Sequence, residues 1–220
     1  MTEPTIASIQ VGQPREMTDP GWPDLRTGPW VSAIIKEPVS GPVWLATTNL
    51  AGDKQGNPAV HGGPDKAALA YGAGHYPLWL AELGRELPHG AFGENLTIAG
   101  LDEESVCIGD TFEAGEAIVQ VSQPRAPCWK LARRWGIKQL TALVADNGRT
   151  GWYLRVVREG HLEAGRPYRL IERPHPEWTV MRATRVMQNR RREMSSANEL
   201  ARLPELADSW QIQLLTPMSS

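Results

Sequence analysis

The sequence predicts a mainly β domain of the α+β class with a small helical tail, and three observations carry that expectation. Glycine (21) and proline (18) are too frequent among 220 residues for a helical bundle, and over the first three quarters of the chain they recur at roughly the eight-to-twelve-residue spacing of short strands and turns. Between them apolar and polar residues alternate in short runs, the period of a half-buried strand. From Arg173 the composition shifts, because ERPHPEW reads as a linker and the residues beyond it have helical composition, with arginine but no lysine.

Taken in order, Ile6 to Val11 (IASIQV) is predicted as a strand, and GQPREMTDPGWPDLRTGPW after it as a Pro/Gly-rich excursion with neither helical nor strand period. Val31 to Ile35 and Val43 to Leu45 are two further strands, with the turn chemistry of EPVSGP between them suggesting a hairpin. Leu50 to Ala67 is a polar, Gly-rich loop. His75 to Leu87 places Leu78, Trp79, Leu80, Leu83 and Leu87 at the spacing of an amphipathic helix, stopped by Pro88. FGENLTI, VCIGDTFEAG and AIVQVSQP then read as successive short strands of a barrel or sandwich. CWKLARRWG is predicted as a helix with Pro127 at its first position and Gly136 at its exit, which puts Cys128 at a helix N-terminus. Ile137 to Asp146 is a second short helix, closed by Asn147-Gly148 in a left-handed cap. Trp152 to Val157 and Tyr168 to Ile171 return to strand, and Val180 to Arg192 and Asn198 to Leu206 are helical. The expected division is a β-rich domain over 1–172 and a helical appendage over 173–220.

Composition excludes several classes of function. With 23 basic and 25 acidic residues, a formal net charge of -2, no global field attracts nucleic acid or an anionic membrane. No stretch approaches the ~20 apolar residues of a membrane span, and the opening MTEPTIASIQVG lacks a basic stretch followed by an apolar run, so a soluble, cytoplasmic protein is expected. Two cysteines are compatible with one disulfide but more typical of a reduced cytosolic protein whose thiols are core residues or reagents.

Of the two thiols, Cys128 is the candidate for chemistry. A helix N-terminus and the nearby Arg125, Lys130, Arg133 and Arg134 all favour its thiolate, which is both a nucleophile and a soft metal ligand. Cys107, between Val106 and Ile108, reads as a core residue. His61 is followed by two glycines that allow close backbone approach to a ligand, and Asp53 and Asp65 bracket it. HGGPDK is neither a P-loop nor a dinucleotide fingerprint, and no CxxC or HxxxH pair provides for zinc. A Cys/His hydrolase has its pieces in Cys128 and either His61 or His75. Arg125 and Lys130 suit an anionic phosphate or a solvated face. Arg190 to Arg192 read as an exposed helix end, and Trp22, Trp30, Trp79, Trp129 and Trp152 as core residues or walls for a planar substrate.

GD at 52–53, HGGPDKA at 61–67, FGENLT at 92–97, GD at 109–110 and SQPRAPCWKL at 122–131 together resemble, in order and spacing, the MOSC domain family, and more closely its YiiM-like, hydroxylaminopurine-resistance branch. That resemblance implies a β-barrel similar to the small barrel domain of pyruvate kinase, with a three-helix C-terminal appendage. It implies a molybdenum cofactor (molybdenum held by a pterin dithiolene) with Cys128 as the protein's metal ligand, and no pyridoxal phosphate. The implied activity is reduction of N-hydroxylated purines and amidoximes to amines and amidines, with electrons from a separate reductase. The chain carries no flavin, haem or iron–sulfur motif of its own. Carried over by position, Arg125 and Lys130 are expected at the cofactor's phosphate, Asn95 at its pterin, and His61 or Asp65 at proton supply. A homodimer is compatible with this reading. The rivals are a persulfide carrier acting through Cys128 and a cofactor carrier without turnover. Without its cofactor, such a protein is expected to show an electropositive pocket around Cys128.

Overall fold

A computed structural model describes residues 3–18, 29–57 and 62–216. His61 and Trp22 lie outside them.

The first strands are β1 (Thr5–Val11), β2 (Arg15–Met17), β3 (Trp30–Ser32), β4 (Glu37–Pro38) and β5 (Val43–Leu45). A 3-10 turn (Pro64–Lys66) leads into β6 (Ala68–Gly72), α1 (His75–Leu83), β7 (Leu96–Ala99), β8 (Thr111–Ala114) and β9 (Ala117–Pro124). Two short helices follow, α2 (Lys130–Trp135) and α3 (Leu140–Asn147), before β10 (Trp152–Arg158), β11 (Gly160–Leu162) and β12 (Tyr168–Glu172). The tail folds as α4 (Val180–Asn189), α5 (Met194–Leu200) and α6 (Asp208–Leu215). Among the described residues no helix is long and apolar enough to cross a membrane.

The main sheet runs β12-β8-β9-β10-β6-β7-β1-β4, with every pair antiparallel except β6 and β7. Its ends meet. Thr5 bridges Pro167, Ile6 donates its N–H to the Arg166 carbonyl at 3.0 Å, and Tyr168 donates to the Pro4 carbonyl at 2.8 Å. β1 and β12 thereby close seven strands into a barrel, which removes the open edges that would template association.

The barrel interior is filled by inward side chains of alternating strands, among them Ile6, Ile98, Val119, Val121, Leu154 and the stacked pair Phe112 and Tyr168. The same cluster takes in Trp178, Val180, Leu200, Trp210 and Leu214 of the tail. Burying each such side chain contributes roughly 1.5–3 kcal/mol, so α4 to α6 share the barrel's core. Arg173 ties the junction by donating to both oxygens of the fully buried Asp110. A second cluster, with Trp79, Phe92, Leu131, Leu140 and Val144, seats α1, α2 and α3 outside the barrel.

The structure corrects several sequence expectations. No hairpin joins the strands either side of EPVSGP. Instead β3 pairs with β2, β5 pairs with β11, and Glu37–Pro38 lies against β1. VCIGD is a turn with one isolated bridge, Cys107 to Thr179, and the strand begins only at Thr111. α1 ends at Gly84, whose φ of 62° closes the helix ahead of Pro88. The tail has three helices where the residue pattern indicated two, as the resemblance implied. β6 (ALAYG) carried no alternation because every residue is buried, flanked by β7 and β10.

Candidate functional site

The end of β9 delivers the candidate residues. Pro124 is its last residue, and Arg125, Ala126, Pro127 and Cys128 cross from the barrel to α2. The Cys128 carbonyl accepts from the Leu131 N–H at 3.1 Å and from the Thr141 hydroxyl at 3.2 Å, which fixes the turn and links it to α3. The regular helix starts at Lys130 with Trp129 as N-cap, so Cys128 and Pro127 precede it and do not occupy its first turn. Among the described residues the Cys128 thiol makes no hydrogen bond.

Cys128 lines a cavity of about 100 Å³ that opens to solvent. Arg125, Lys130 and Asn95 line it too, joined by Lys36, Lys54, Lys66, Phe92, Gly93 and Tyr153. Among the described residues Asp53 is the one carboxylate in that wall, set against five cationic side chains. The cavity is therefore electropositive, although the chain as a whole is slightly acidic.

Two of the cations are buried. Arg125, 6% exposed, donates to the Phe92 carbonyl at 3.0 Å and more weakly to the Thr150 carbonyl at 3.5 Å. Among the described residues no carboxylate pairs with it, and a guanidinium has five N–H donors. Lys36, 8% exposed, donates to Asp53 and keeps two ammonium hydrogens beyond that bond. Burial pulls the Lys36 pKa below the ordinary lysine range, with Asp53 acting in the opposite sense. Tyr153 is shifted upward, by burial first and by Cys128 to a lesser degree, against the pull of Arg125, so its phenol keeps its proton.

Asp53 is held from three sides. Its carboxylate accepts from Lys36, from the Gly12 N–H at 2.7 Å and from the Asn95 amide at 3.0 Å. Position 12 must be glycine for this approach, because a Cβ there would lie 2.3 Å from the Ile35 carbonyl oxygen. Asn95 spends its second amide hydrogen on the Gln10 carbonyl and accepts from the Leu69 N–H. With both hydrogens committed, Asn95 braces Asp53 and has no amide hydrogen left for the pterin contact expected of it.

Asp65 stands beside the cavity and does not line it. Its carboxylate pairs with Arg155 at 2.7–2.8 Å, and its carbonyl accepts from the Ser122 hydroxyl. Gly63, with φ of 98°, turns the chain into this segment, while His61 lies outside the described residues. Lys130 donates to the Val31 carbonyl at 3.1 Å. Cys107 does not line the cavity; its thiol faces the Pro176 carbonyl, and burial first and the Asp110 charge second push its pKa up to about 11.

Sequence reasoning missed Lys36, Lys54, Lys66 and Tyr153. Only Lys36 carried a usable signal, a lysine ending the apolar run Ala33-Ile34-Ile35. Among the described residues no cluster of three or more His, Cys, Asp or Glu is arranged to hold a metal ion. A metal here would need donors from a cofactor as well as Cys128.

The family model described as the MOSC domain matches residues 57–169. The Bacillus subtilis (strain 168) protein YflK is 39% identical over 211 residues, covering 96% of this chain and 93% of its own length. A Gibberella moniliformis protein named Reductase is 36% identical over 181 residues, which is 80% of this chain but 32% of that relative, so this chain spans about a third of it. The crystal structure of YiiM from Geobacillus stearothermophilus aligns with a TM-score of 0.79 at 34% identity, covering 96% of this chain and 97% of that one.

Proposed function

The chain belongs to the MOSC domain family, in its YiiM-like branch, and from that premise we propose that it is an oxidoreductase that binds a molybdenum cofactor and reduces N-hydroxylated compounds to amines or amidines. One observation carries the reading. Two buried cations, Arg125 and Lys36, which among the described residues keep hydrogen-bond donors to spare, share a cavity with a free cysteine.

The donor set fits such a cofactor. A thiolate is a soft ligand suited to a thiophilic metal, and cations with unused N–H groups suit a phosphate. Cys128 would hold the metal, and Arg125, Lys36 and Lys130 the anionic arm. When bound, the cofactor supplies the two-electron chemistry of N–O cleavage. Reduction of an N-hydroxyl group consumes two electrons and two protons and releases water, so a separate reductase and a proton source are both required. Asp65 is engaged by Arg155, which leaves His61 as the source of the proton for the departing oxygen. Tyr153, protonated and lining the cavity, offers a neutral hydroxyl to orient the substrate. Phe92 and the glycine beside it also line the cavity.

The test is to purify the protein under reducing conditions from a host that makes the cofactor. Molybdenum content and reduction of a hydroxylaminopurine with an artificial electron donor are then measured. Stoichiometric molybdenum and turnover, both lost in Cys128→Ser, are expected. Full metal and activity in Cys128→Ser would overturn the ligand assignment. Molybdenum without turnover would make the protein a cofactor carrier, and a persulfide on Cys128 without molybdenum would make it a sulfur carrier.

A further inference from the structure

Trp129 is half exposed, at 48%, the most exposed of the described tryptophans, whereas Trp79, Trp152 and Trp178 are fully buried. Leaving so large an apolar ring in water forgoes stabilisation that burial would supply, and its position suggests a use. It sits between Cys128 and Lys130, both of which line the cavity. The ring is also held in place. The Arg133 guanidinium lies 4.3 Å from its centroid, the Trp30 ring packs at 66° to it with centroids 5.3 Å apart, and the Lys130 ammonium is within 6 Å of both indoles. Cation–π and tilted aromatic contacts of this kind fix an aromatic plane, and here they leave about half of the residue exposed.

We propose that Trp129, braced by Arg133 and Trp30 next to the cavity-lining Cys128 and Lys130, is a specificity-determining platform on which a planar heteroaromatic substrate stacks while its N-hydroxyl group enters toward Cys128. The inference rests on the reductase reading for its substrate class. A purine-sized ring fits this platform because every base offers a π face, and stacking on an aromatic side chain tolerates different ring substituents. A non-aromatic N-hydroxylated compound gains nothing from it. Trp129 makes no side-chain capping hydrogen bond to α2, so its truncation leaves the helix start intact.

The test compares the loaded wild-type enzyme with Trp129→Ala and Trp129→Phe. KM and kcat are measured for a hydroxylaminopurine and for an aliphatic amidoxime, and adenine binding to each full-length protein is measured by equilibrium dialysis. In Trp129→Ala the KM for the purine is expected to rise roughly tenfold more than that for the amidoxime, the scale of one lost base–aromatic stack. Adenine affinity should fall in parallel, and Trp129→Phe should recover most of both. Equal KM changes for the two substrates, or wild-type adenine affinity in Trp129→Ala, would overturn the platform while leaving the reductase reading standing. Adenine binding that depends on Trp129 without turnover of either substrate would uphold the platform and sink the reductase reading.

Discussion

Arg173 and Asp110 form a two-point ion pair at the junction of barrel and tail: Nε and Nη2 of Arg173 donate to the two carboxylate oxygens of Asp110 at 2.8 and 2.6 Å. Asp110 has no exposed surface, and besides Arg173 it accepts from the Cys107 N–H at 2.9 Å. Replacing Arg173 with Met leaves a buried carboxylate without its counter-ion. Full breakage of a buried pair costs about 3–5 kcal/mol, and because the Arg173 side chain is a third exposed, a loss of roughly 2–3 kcal/mol is expected. Urea unfolding of Arg173→Met should show a lower midpoint with an unchanged slope, and a midpoint equal to wild type would refute the pair's structural weight.

The shared core predicts how the tail behaves when removed. A chain ending at Glu172 loses Trp178, Val180, Leu200 and Trp210 from the barrel's own cluster, and with them several contributions of about 2 kcal/mol each. Such a truncation is expected to aggregate or to lose near-ultraviolet circular dichroism. A soluble truncated chain with a native spectrum would show that the barrel stands alone.

The two thiols should separate chemically. Cys107 is buried, with its pKa raised to about 11 by burial and by Asp110, so at pH 8 only about one part in a thousand is thiolate. Cys128 lines an open cavity. Iodoacetamide at pH 8 is expected to label one thiol per native chain, at Cys128, and two after denaturation. Peptide mass mapping reads this directly. A group whose folded pKa is raised adds stability below its unfolded value, so the contribution of Cys107 is complete below about pH 9 and is lost as pH rises toward about 11. Cys107→Ala should flatten the decline in stability over that window.

Lys36 and Asp53 should behave as a unit. Lys36→Met strands a carboxylate that is 3% exposed, at a cost of about 3–5 kcal/mol, whereas Lys36→Met with Asp53→Asn removes the unpaired charge and should recover much of that loss. A double-mutant cycle by thermal unfolding measures the coupling, and additive losses would show that the two do not interact.

The proposed role of Arg125 at the cofactor's anionic arm predicts that Arg125→Met lowers the molybdenum retained per chain several-fold, with Arg125→Lys intermediate because it keeps charge but loses the planar fork. Metal analysis after gel filtration at low and high salt checks this, with the larger loss at high salt.

The barrel was legible where side chains alternate. β1, β5, β9 and β10 follow the expected segments closely because one face of each meets the core. β6 was not legible, since a strand buried on both faces leaves no period, and the partners of β3 and β5 were set by closure over long separations. At the site, Cys128, Arg125 and Lys130 sit within one short segment and were readable from their chemistry. Lys36 and Asp53 are 17 residues apart and meet only through the fold. Asn95 resembles a ligand-binding residue in sequence, and only its hydrogen bonds to Gln10, Asp53 and Leu69 show that it is a brace.

The seam between Thr5 and Pro167 has a kinetic meaning. The two bridged residues lie about 160 positions apart, and contacts of such sequence separation form slowly because the loop-closure entropy must be met before they contribute. During synthesis β1 waits, unpaired on that side, until β12 has emerged. Refolding should accordingly show ring closure as a late, slow event, and Pro167 at the seam places an imide nitrogen, which cannot donate a hydrogen bond, at the point where two strand edges are last exposed.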